Sequence, residues 1–408
     1  MDRQPRTAPS ATPPLWLVVL AVGCIVAISM GRNQVMGLFL IPVTGALDVG
    51  RETFGLAMAI SQLTLGLGAP IAGALVDKHG AGRVVVACAL STIAGLWLIH
   101  EAQGSTALII SGVLMGIGVC GTGISALVGT IGRAAPPEQR TSAIASIGMA
   151  AGIGTFVAYP YIHLFMEWLG WKGALVVLMA TTALMIPIAW TISGRPTPGV
   201  TLARDQTLWE AIGEAFRHPS FILLTAGFFV CGFHVSFVGT HLPAYATDLG
   251  LPSWVAPIAL SVVGIVNIAG TWLAGQSGRY VEKRVGLALI YLCRAAIFLG
   301  FLFLPMTPVT MIVLCSMLGL VWLATIPLTS GLVAIFFGTK WMSTLYGFVF
   351  LSHQVGSFLG VWLGGRLFDV MRSYETMWWL SVALGLAAAA LNWPIKERPV
   401  ARAAPAAS

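Results

Sequence analysis

The sequence has very few charged residues for its length. Only 9% of its 408 residues are Asp, Glu, Lys or Arg, whereas 57% are hydrophobic, and the mean hydropathy is +0.88. A soluble globular chain carries about 25% charged residues, so this composition excludes that class and fits a membrane protein with many spans. A window of about 20 residues finds twelve apolar segments, at residues 15–44, 52–76, 83–101, 105–131, 142–166, 171–192, 220–246, 254–278, 286–305, 309–337, 341–366 and 374–395.

Basic residues are scarce on one side of the predicted membrane. Sixteen of the 22 Lys and Arg residues fall in the tails, the central linker and the even-numbered connections, and only four fall in the odd-numbered connections. The positive-inside rule then predicts that both termini are cytoplasmic. The apolar pattern of the first segment continues past Arg32, so we interpret it as a membrane helix and not as a cleaved signal peptide. We expect a multi-pass protein of a bacterial-type inner membrane, without a nucleic-acid partner.

The sequence also lacks the patterns of catalytic and metal-binding proteins. Its six cysteines occur singly in apolar segments without a C-x-x-C pair, which argues against disulfides and a structural zinc site. We find no phosphate-binding glycine loop, no metal-ligand spacing and no intramembrane acid to complete a nucleophile triad. We therefore expect no enzyme activity, no cofactor and no metal.

The chain repeats itself at a nearly constant offset. Pro42 matches Pro243 at an offset of 201, and Gly73 matches Gly275 at an offset of 202. A constant offset over several landmarks predicts two parallel six-helix halves related by duplication. The predicted organisation is an N-terminal tail, a six-helix bundle, a linker with a short amphipathic helix, a second six-helix bundle and a C-terminal tail, at residues 1–14, 15–192, 193–219, 220–395 and 396–408.

The stretch GALVDKHGAGR, from Gly73 to Arg83, lies between predicted helices 2 and 3. It resembles the loop signature G-x-x-x-D-[RK]-x-G-x-x-[RK] of the major facilitator superfamily, and the resemblance extends over nearly the whole chain. The resemblance implies an all-α membrane protein of twelve transmembrane helices in two pseudo-symmetric six-helix bundles. It also implies that Gly73, Asp77 and Arg83 belong to a gating loop that holds and releases the two halves during alternating access.

Two further stretches are similar to one branch of that superfamily. GRNQVMGLFLIP and GFFVCGFHVSFVGTHLPAYATDLGL resemble bacterial monocarboxylate porters and oxalate/formate antiporters. That branch typically has a basic residue or an Asp–Arg pair in helix 8, and often a lysine in helix 11. Here helix 8 offers Asn267 as its strong polar group, and helix 11 offers His353 and Gln354.

No acidic residue is predicted at mid-membrane. Ten of the fifteen acidic residues fall at helix ends or in turns, and the others lie in the tails and the linker. Those ten are Asp48, Glu52, Asp77, Glu101, Glu138, Glu167, Asp248, Glu282, Asp369 and Glu375. A carrier of cations usually needs a buried carboxylate, so this absence predicts a cavity that attracts anions.

The polar groups predicted inside the membrane are basic or neutral. The candidate substrate-binding residues are Arg32, Asn33, Gln34, His234, Asn267, Trp322, His353 and Gln354. Arg32 is the central candidate, because a guanidinium stays charged and its planar donors fit a carboxylate. The alternative is an arginine that bonds main-chain carbonyls near one mouth of the cavity and reaches the lipid headgroups.

Histidines are the candidate proton carriers, since no membrane carboxylate is available. His234 and His353 are assigned this role, and the alternative for each is a structural hydrogen bond between helices. His241 lies two turns after His234 on the same helix face, and we assign it to a structural position or to a cavity mouth. For Arg294 in helix 9, snorkelling or pairing with a neighbouring helix is weighed against substrate contact.

These patterns together predict a secondary transporter that moves a small organic anion, a monocarboxylate, with proton coupling or exchange. Its partners would be the anionic substrate, a proton or counter-anion and membrane lipid, and we expect a monomer. The alternative is an efflux permease for a toxic drug or metalloid, for which the soft ligands would be Cys24, Cys120, Cys231 and Cys315. A membrane sensor that does not transport is the third class considered.

Overall fold

The structure is a computed structural model that describes residues 14–136, 139–192, 207–278, 280–338 and 341–400. Over these residues the chain is helical, and no strand occurs among them. The predicted tails at 1–14 and 396–408 and the first part of the linker fall mostly outside the described residues.

Six transmembrane helices form the first half. Helix 1 has a 3-10 turn between two α-helical parts, helix 4 has two parts, and helices 5 and 6 are separated by the non-helical backbone of Gly170 (φ 69°, ψ 176°). In chain order the helical segments are Leu15–Gln34, Val35–Phe39, Leu40–Leu47, Arg51–His79, Ala81–His100, Ser105–Thr122, Ile124–Ala134, Arg140–Ala183 and Met185–Trp190.

Six more transmembrane helices form the second half, and a short linker helix precedes them. Helix 10 is again made of two parts. The linker helix spans Leu208–Arg217, and helices 7 to 12 comprise the segments Pro219–Asp248, Val255–Ser277, Lys283–Phe303, Pro308–Leu320, Thr325–Phe337, Met342–Met371 and Glu375–Asn392.

The number of membrane helices agrees with the twelve predicted from the sequence. Ten helical stretches among the described residues are long and apolar enough to cross a membrane. One of them, Ser146–Trp190, contains helices 5 and 6 together. Helix 12 is not among the ten, because Glu375 and Asn392 at its two ends lower its mean hydropathy. The all-α, twelve-helix fold is thereby confirmed.

The packing of the helices repeats after six helices. Helix 1 packs on helix 5 as helix 7 packs on helix 11, and helix 2 packs on helix 4 as helix 8 packs on helix 10. Between the halves, helix 2 packs on helix 11 and helix 5 packs on helix 8, which are equivalent pairs under the same shift. This pattern is the one expected of two duplicated bundles.

Most of the signature between helices 2 and 3 is helical instead of looped. Helix 2 continues to His79 and helix 3 begins at Ala81, so Gly80 alone makes the turn. Its φ of 87° lies in the left-handed region, which glycine adopts without the strain of a side chain. The second glycine of the signature is therefore required by the backbone of this turn.

The predicted amphipathic helix of the linker is present. Thr207 begins it with a capping box, in which its hydroxyl accepts from the Glu210 amide at 3.3 Å and the Glu210 carboxylate accepts from the Thr207 amide at 2.9 Å. Ala211 and Ala215 are buried, whereas Trp209 is 79% exposed. The helix thus lies against the bundle through its alanine face and leaves its tryptophan free to contact lipid.

Candidate functional site

Arg32 lies inside the protein, near the middle of helix 1. Its side chain is 2% exposed, and the α-helix that carries it changes to a 3-10 turn three residues later, at Val35. Nε and Nη1 are buried without a hydrogen-bond partner among the described residues, and no ion pair to Arg32 occurs among them. A buried donor without an acceptor is costly, and a buried charge without a partner more so. Two donor nitrogens of the guanidinium therefore have no acceptor among the described residues.

The residues that flank Arg32 contact helices 5 and 7. The Tyr159 hydroxyl of helix 5 donates to the Gln34 carbonyl at 2.8 Å, and Asn33 and Gln34 are half-buried. A Cβ at Gly37 would overlap the carbonyl of Gly239, so the backbones of helices 1 and 7 are in direct contact. Arg32 thus lies on a helix of the first half that is in direct contact with the second half.

His353 and Gln354 lie where helix 11 meets helix 2. The Gln354 amide donates to the Gln62 carbonyl across the two halves at 3.1 Å, and its Oε1 lies 2.8 Å from Nδ1 of His353. The Gln62 amide in turn donates to Ser236 of helix 7 at 3.5 Å. These side chains form one polar connection between the halves, and His353 remains partly exposed beside it.

His234 is packed within the second half. Its ring is 1% exposed, its Nε2 lies 2.9 Å from the Ser381 carbonyl of helix 12, and its ring meets that of Phe298 edge-on. Nδ1 has no hydrogen-bond partner among the described residues. One nitrogen thus has a structural partner, and the other has none among the described residues.

Arg294 supports an interruption in helix 10. Helix 10 stops at Leu320 and resumes at Thr325, so the carbonyls between them lack helical partners. The fully buried guanidinium of Arg294 donates to the Val321 carbonyl at 2.7 Å and also to the Trp322 carbonyl. Of the alternatives for Arg294, the structure shows pairing with a neighbouring helix.

Asn267 and Trp322 belong to the same interruption. The Asn267 side-chain oxygen accepts from the Leu323 amide at 2.9 Å and from the Thr271 hydroxyl at 3.2 Å. Trp322 is 4% exposed. The break in helix 10 is therefore held from helix 8 by Asn267 and from helix 9 by Arg294.

The gating loop lies at the opposite end of helix 2 from Arg51. Open space surrounds the position of a Cβ at Gly73, and Arg83 is exposed. The side chain of Asp77 lies outside the described residues. The role of these three residues stays a prediction.

Two ion pairs join the halves at the end where helix 2 begins, which we call the Arg51 end. Arg51 donates from both terminal nitrogens to the Asp248 carboxylate at 2.6 Å, and Arg366 donates to Glu52 at 3.0 Å. The Arg51 guanidinium also lies 3.6 Å from the centre of the Phe368 ring, a cation–π contact. Within the described part of the chain, both ion pairs between the halves lie at this end.

The same end contains a helix cap supplied by the other half. The Asp369 carboxylate of helix 11 accepts from the amides of Arg51 and Glu52 at 3.0 Å and 2.8 Å. These amides belong to the first turn of helix 2, whose donors have no partner within the helix. The start of helix 2 is therefore held by the second half.

A chain of hydrogen bonds runs from Arg51 to His241, and we call these residues with Asp248 and Tyr374 the Arg51 network. Arg51 donates to the Tyr374 hydroxyl at 3.0 Å, and this hydroxyl lies 3.1 Å from Nδ1 of His241. Nε2 of His241 lies 2.8 Å from the Val361 carbonyl, so Nε2–H donates and Nδ1 accepts. Burial raises the pKa of the Tyr374 hydroxyl above its ordinary value, against the opposing effect of Arg51, so the hydroxyl keeps its proton and donates it.

The residues of the Arg51 end were not predicted as a site. The sequence places Asp248 and Asp369 at helix ends and Arg51 and Arg366 among the few basic residues of one side. The sequence did contain an indication of these ion pairs, since the acids and arginines are predicted on the same side of the membrane. Their pairing depends on which helices are neighbours, and neighbouring helices are not visible in the sequence.

Comparisons with known proteins agree with this architecture. The sequence profile of the Major Facilitator Superfamily matches residues 21–361. The solved structure of a D-xylose-proton symporter superposes with a TM-score of 0.74 at 15% identity, covering 94% of this chain and 98% of that chain. At this identity the likeness shows the fold alone.

Two curated relatives differ in what their names state. Monocarboxylate transporter 13 of Rattus norvegicus is 25% identical over 379 residues, covering 91% of this chain and 86% of that protein. Multidrug resistance protein MdtH of Aeromonas hydrophila subsp. hydrophila is 27% identical over 248 residues, covering 58% of this chain and 54% of that protein.

Proposed function

This chain belongs to the major facilitator superfamily, and on that premise we propose that it transports a small organic anion, a monocarboxylate, by alternating access. The observation that carries the proposal is the buried guanidinium of Arg32, which has two free donors and no acid beside it among the described residues. A carboxylate supplies both the charge and the paired acceptors that these donors lack. The similarity to a monocarboxylate transporter supports the same substrate class.

We propose distinct roles for the other candidate residues. Asn33 and Gln34 extend the binding surface of Arg32 along helix 1, and His353 and Gln354 contribute to substrate binding from helix 11. Asn267 positions Trp322 by holding the break in helix 10. A discontinuous helix is a common place for substrate contact in transporters, because its free backbone groups lie beside the cavity.

The coupled proton is proposed to bind His234 or His353. His234 has one buried nitrogen without a partner, and His353 is partly exposed beside the polar connection between the halves. No acid is predicted within the membrane, so an imidazole nitrogen is the group available to carry a proton in symport with an anion. Exchange against a second anion would need neither ring.

The conformation is proposed to be closed towards the outside. The positive-inside rule places the termini in the cytoplasm of a bacterial-type inner membrane, and hence the Arg51 end outside. The two ion pairs and the Asp369 cap hold the halves together at that end. Alternating access then requires these contacts to break when substrate is exchanged with the outside.

Uptake by purified protein in proteoliposomes tests the proposal. Radiolabelled formate, lactate, pyruvate and oxalate would be offered with and without an inward proton gradient. We expect saturable uptake of at least one monocarboxylate by the wild-type protein and none above background by Arg32→Gln. Equal uptake by both proteins would contradict the role of Arg32, and uptake of none of the anions would contradict the substrate class.

The second candidate is drug efflux, which the similarity to MdtH favours. Export of a cationic dye from inverted membrane vesicles distinguishes the two functions. A cation carrier would be impaired by the fixed charge of Arg32, so its dye export would survive or improve in Arg32→Gln. An anion carrier would export no dye in either form.

A further inference from the structure

His241 is a buried titratable group for which the proposed transport site has no role. It lies in helix 7 about two helical turns before Asp248, where the helix ends at the Arg51 end. The ring is 1% exposed, and a Cβ at Gly364 of helix 11 would meet the ring itself. Its only described polar partners are Tyr374 and the Val361 carbonyl.

We propose that His241 is a proton-binding site whose protonation opens the Arg51 end. The proposal rests on the proposed function in one respect, since a transport cycle requires this end to open. It adds a proton site that is separate from the substrate site and from His234 and His353.

The neutral ring completes the closed Arg51 network. Nε2–H donates to Val361, and Nδ1 accepts the proton of Tyr374. The oxygen of Tyr374 then has its lone pairs directed towards Arg51, which donates to it at 3.0 Å. Arg51 is thereby oriented for its two hydrogen bonds to Asp248. In this closed network each of these N–H and O–H groups donates to one acceptor.

A proton on Nδ1 reverses the direction of one hydrogen bond. The imidazolium has two donors and no acceptor, so the hydroxyl of Tyr374 can no longer donate to it. The Tyr374 oxygen would have to accept from both His241 and Arg51, and two cations would share one hydroxyl. The contact between Arg51 and Tyr374 is therefore weakened, and with it the orientation of the pair with Asp248.

Among the residues that the structure describes, no acid beside His241 is left unpaired to serve as a counter-charge for the imidazolium. The titratable groups nearest to it are Tyr374, Arg51 and Asp248, and Asp248 is already engaged by both terminal nitrogens of Arg51. Asp369 is occupied by two amides at the start of helix 2. Opening the Arg51 end would admit water to the charged ring, so protonation and opening favour each other.

The second ion pair provides a matched control. Glu52 and Arg366 also join the halves at the Arg51 end, and the indole of Trp362 donates to Glu52 at 3.1 Å. No histidine contacts this pair among the described residues. Breaking it should increase the open population by the same factor at every pH and leave the pH dependence unchanged, whereas changing His241 should alter the pH dependence.

The distance between the halves at the Arg51 end can be measured by double electron–electron resonance. Nitroxide labels would be placed at Gln103→Cys and Leu304→Cys, two exposed positions on opposite halves, in a chain whose six native cysteines are replaced. The distance distribution would be recorded from pH 5 to pH 8 without substrate. Hydrogen exchange at the amides of Arg51 and Glu52 gives an independent measure in the wild-type chain.

We expect the long-distance population of the wild-type protein to grow as the pH falls, by up to about tenfold per pH unit for one proton. His241→Gln keeps a donor and an acceptor but binds no proton, so it should stay closed at every pH. The long-distance population of Tyr374→Phe should depend less on pH, because the hydrogen bonds between His241 and Arg51 are then broken. Glu52→Gln should have a larger long-distance population than the wild type at every pH, with the same dependence on pH.

Two results would overturn the proposal. One is a wild-type distance and hydrogen exchange that do not respond to pH, after correction of the exchange rates for their intrinsic pH dependence. The other is a wild-type pH response in His241→Gln or, if that variant does not fold, in Tyr374→Phe. Because these measurements need no substrate, failure to transport a monocarboxylate would contradict the proposed function and leave this result unaffected.

Discussion

Replacing Arg32 by glutamine should have opposite effects on the empty and the substrate-bound protein. In the empty protein the guanidinium is 2% exposed, and its Nε and Nη1 lack partners among the described residues. Removing a buried charge of this kind relieves a cost, so the variant should be more stable than the wild type. In the bound protein the same change removes the group proposed to hold the carboxylate.

The size of both effects follows from the two free donors. Each unsatisfied buried donor costs about 1–3 kcal/mol. If a bound carboxylate satisfies both, the loss of Arg32 should weaken binding by at least about 2 kcal/mol, or roughly 30-fold in Kd. Removing the cost of this buried charge should raise the Tm of the empty protein by roughly 2–5 °C, since about 1 kcal/mol moves the Tm of a large chain by a few degrees.

Thermal melting of the detergent-purified protein measures both effects in one assay. The wild type should be stabilised by a monocarboxylate, because a ligand that binds the folded state raises Tm. Arg32→Gln should have a higher Tm without ligand and show no shift at the same ligand concentration. Lys172→Gln, which removes an equal but exposed charge beside Trp171 at the start of helix 6, is the control and should behave as the wild type. A lower Tm of empty Arg32→Gln, or an undiminished ligand shift, would refute the reasoning.

Three further substitutions test the packing around the site. Gly37→Val should abolish transport while keeping ligand binding, because its side chain overlaps the Gly239 carbonyl and keeps helices 1 and 7 apart; uptake at the wild-type rate would contradict this contact. Asp369→Ala should increase hydrogen exchange at the first amides of helix 2 by about fivefold, equivalent to about 1 kcal/mol for a lost cap. Arg294→Ala should lower the free energy of unfolding by about 2–4 kcal/mol, because two carbonyls in the break of helix 10 lose their donor; an unchanged denaturation midpoint would count against it.

Much of the fold was predictable because the membrane limits what a chain can do. Spans of about 20 apolar residues must form helices, since no water is present to bond their backbone groups. The twelve predicted segments therefore agree with the observed helices within a few residues at most ends. The constant offset between Pro42 and Pro243 correctly indicated that the halves are repeats, which the equivalent helix pairs confirm.

The interruptions within helices were less visible. The 3-10 turn at Val35–Phe39 and the break in helix 10 leave the hydropathy pattern unchanged. They depend on donors and acceptors from other helices, such as Asn267 and Arg294. The assignment of Arg294 was accordingly open from the sequence and became definite only when its carbonyl partners were known.

The sequence by itself determined the number of spans, the duplication and the scarcity of acids within the membrane, because each follows from composition or from spacing along the chain. Only the tertiary structure decided that Arg32 is buried with two donor nitrogens that lack a partner among the described residues, and that Asp248 neutralises Arg51 across the two halves. The physical reason is that the energy of a charge inside a membrane protein depends on the groups that surround it. Those neighbours lie on helices up to about 320 residues away in the chain, as in the Asp369 cap of helix 2.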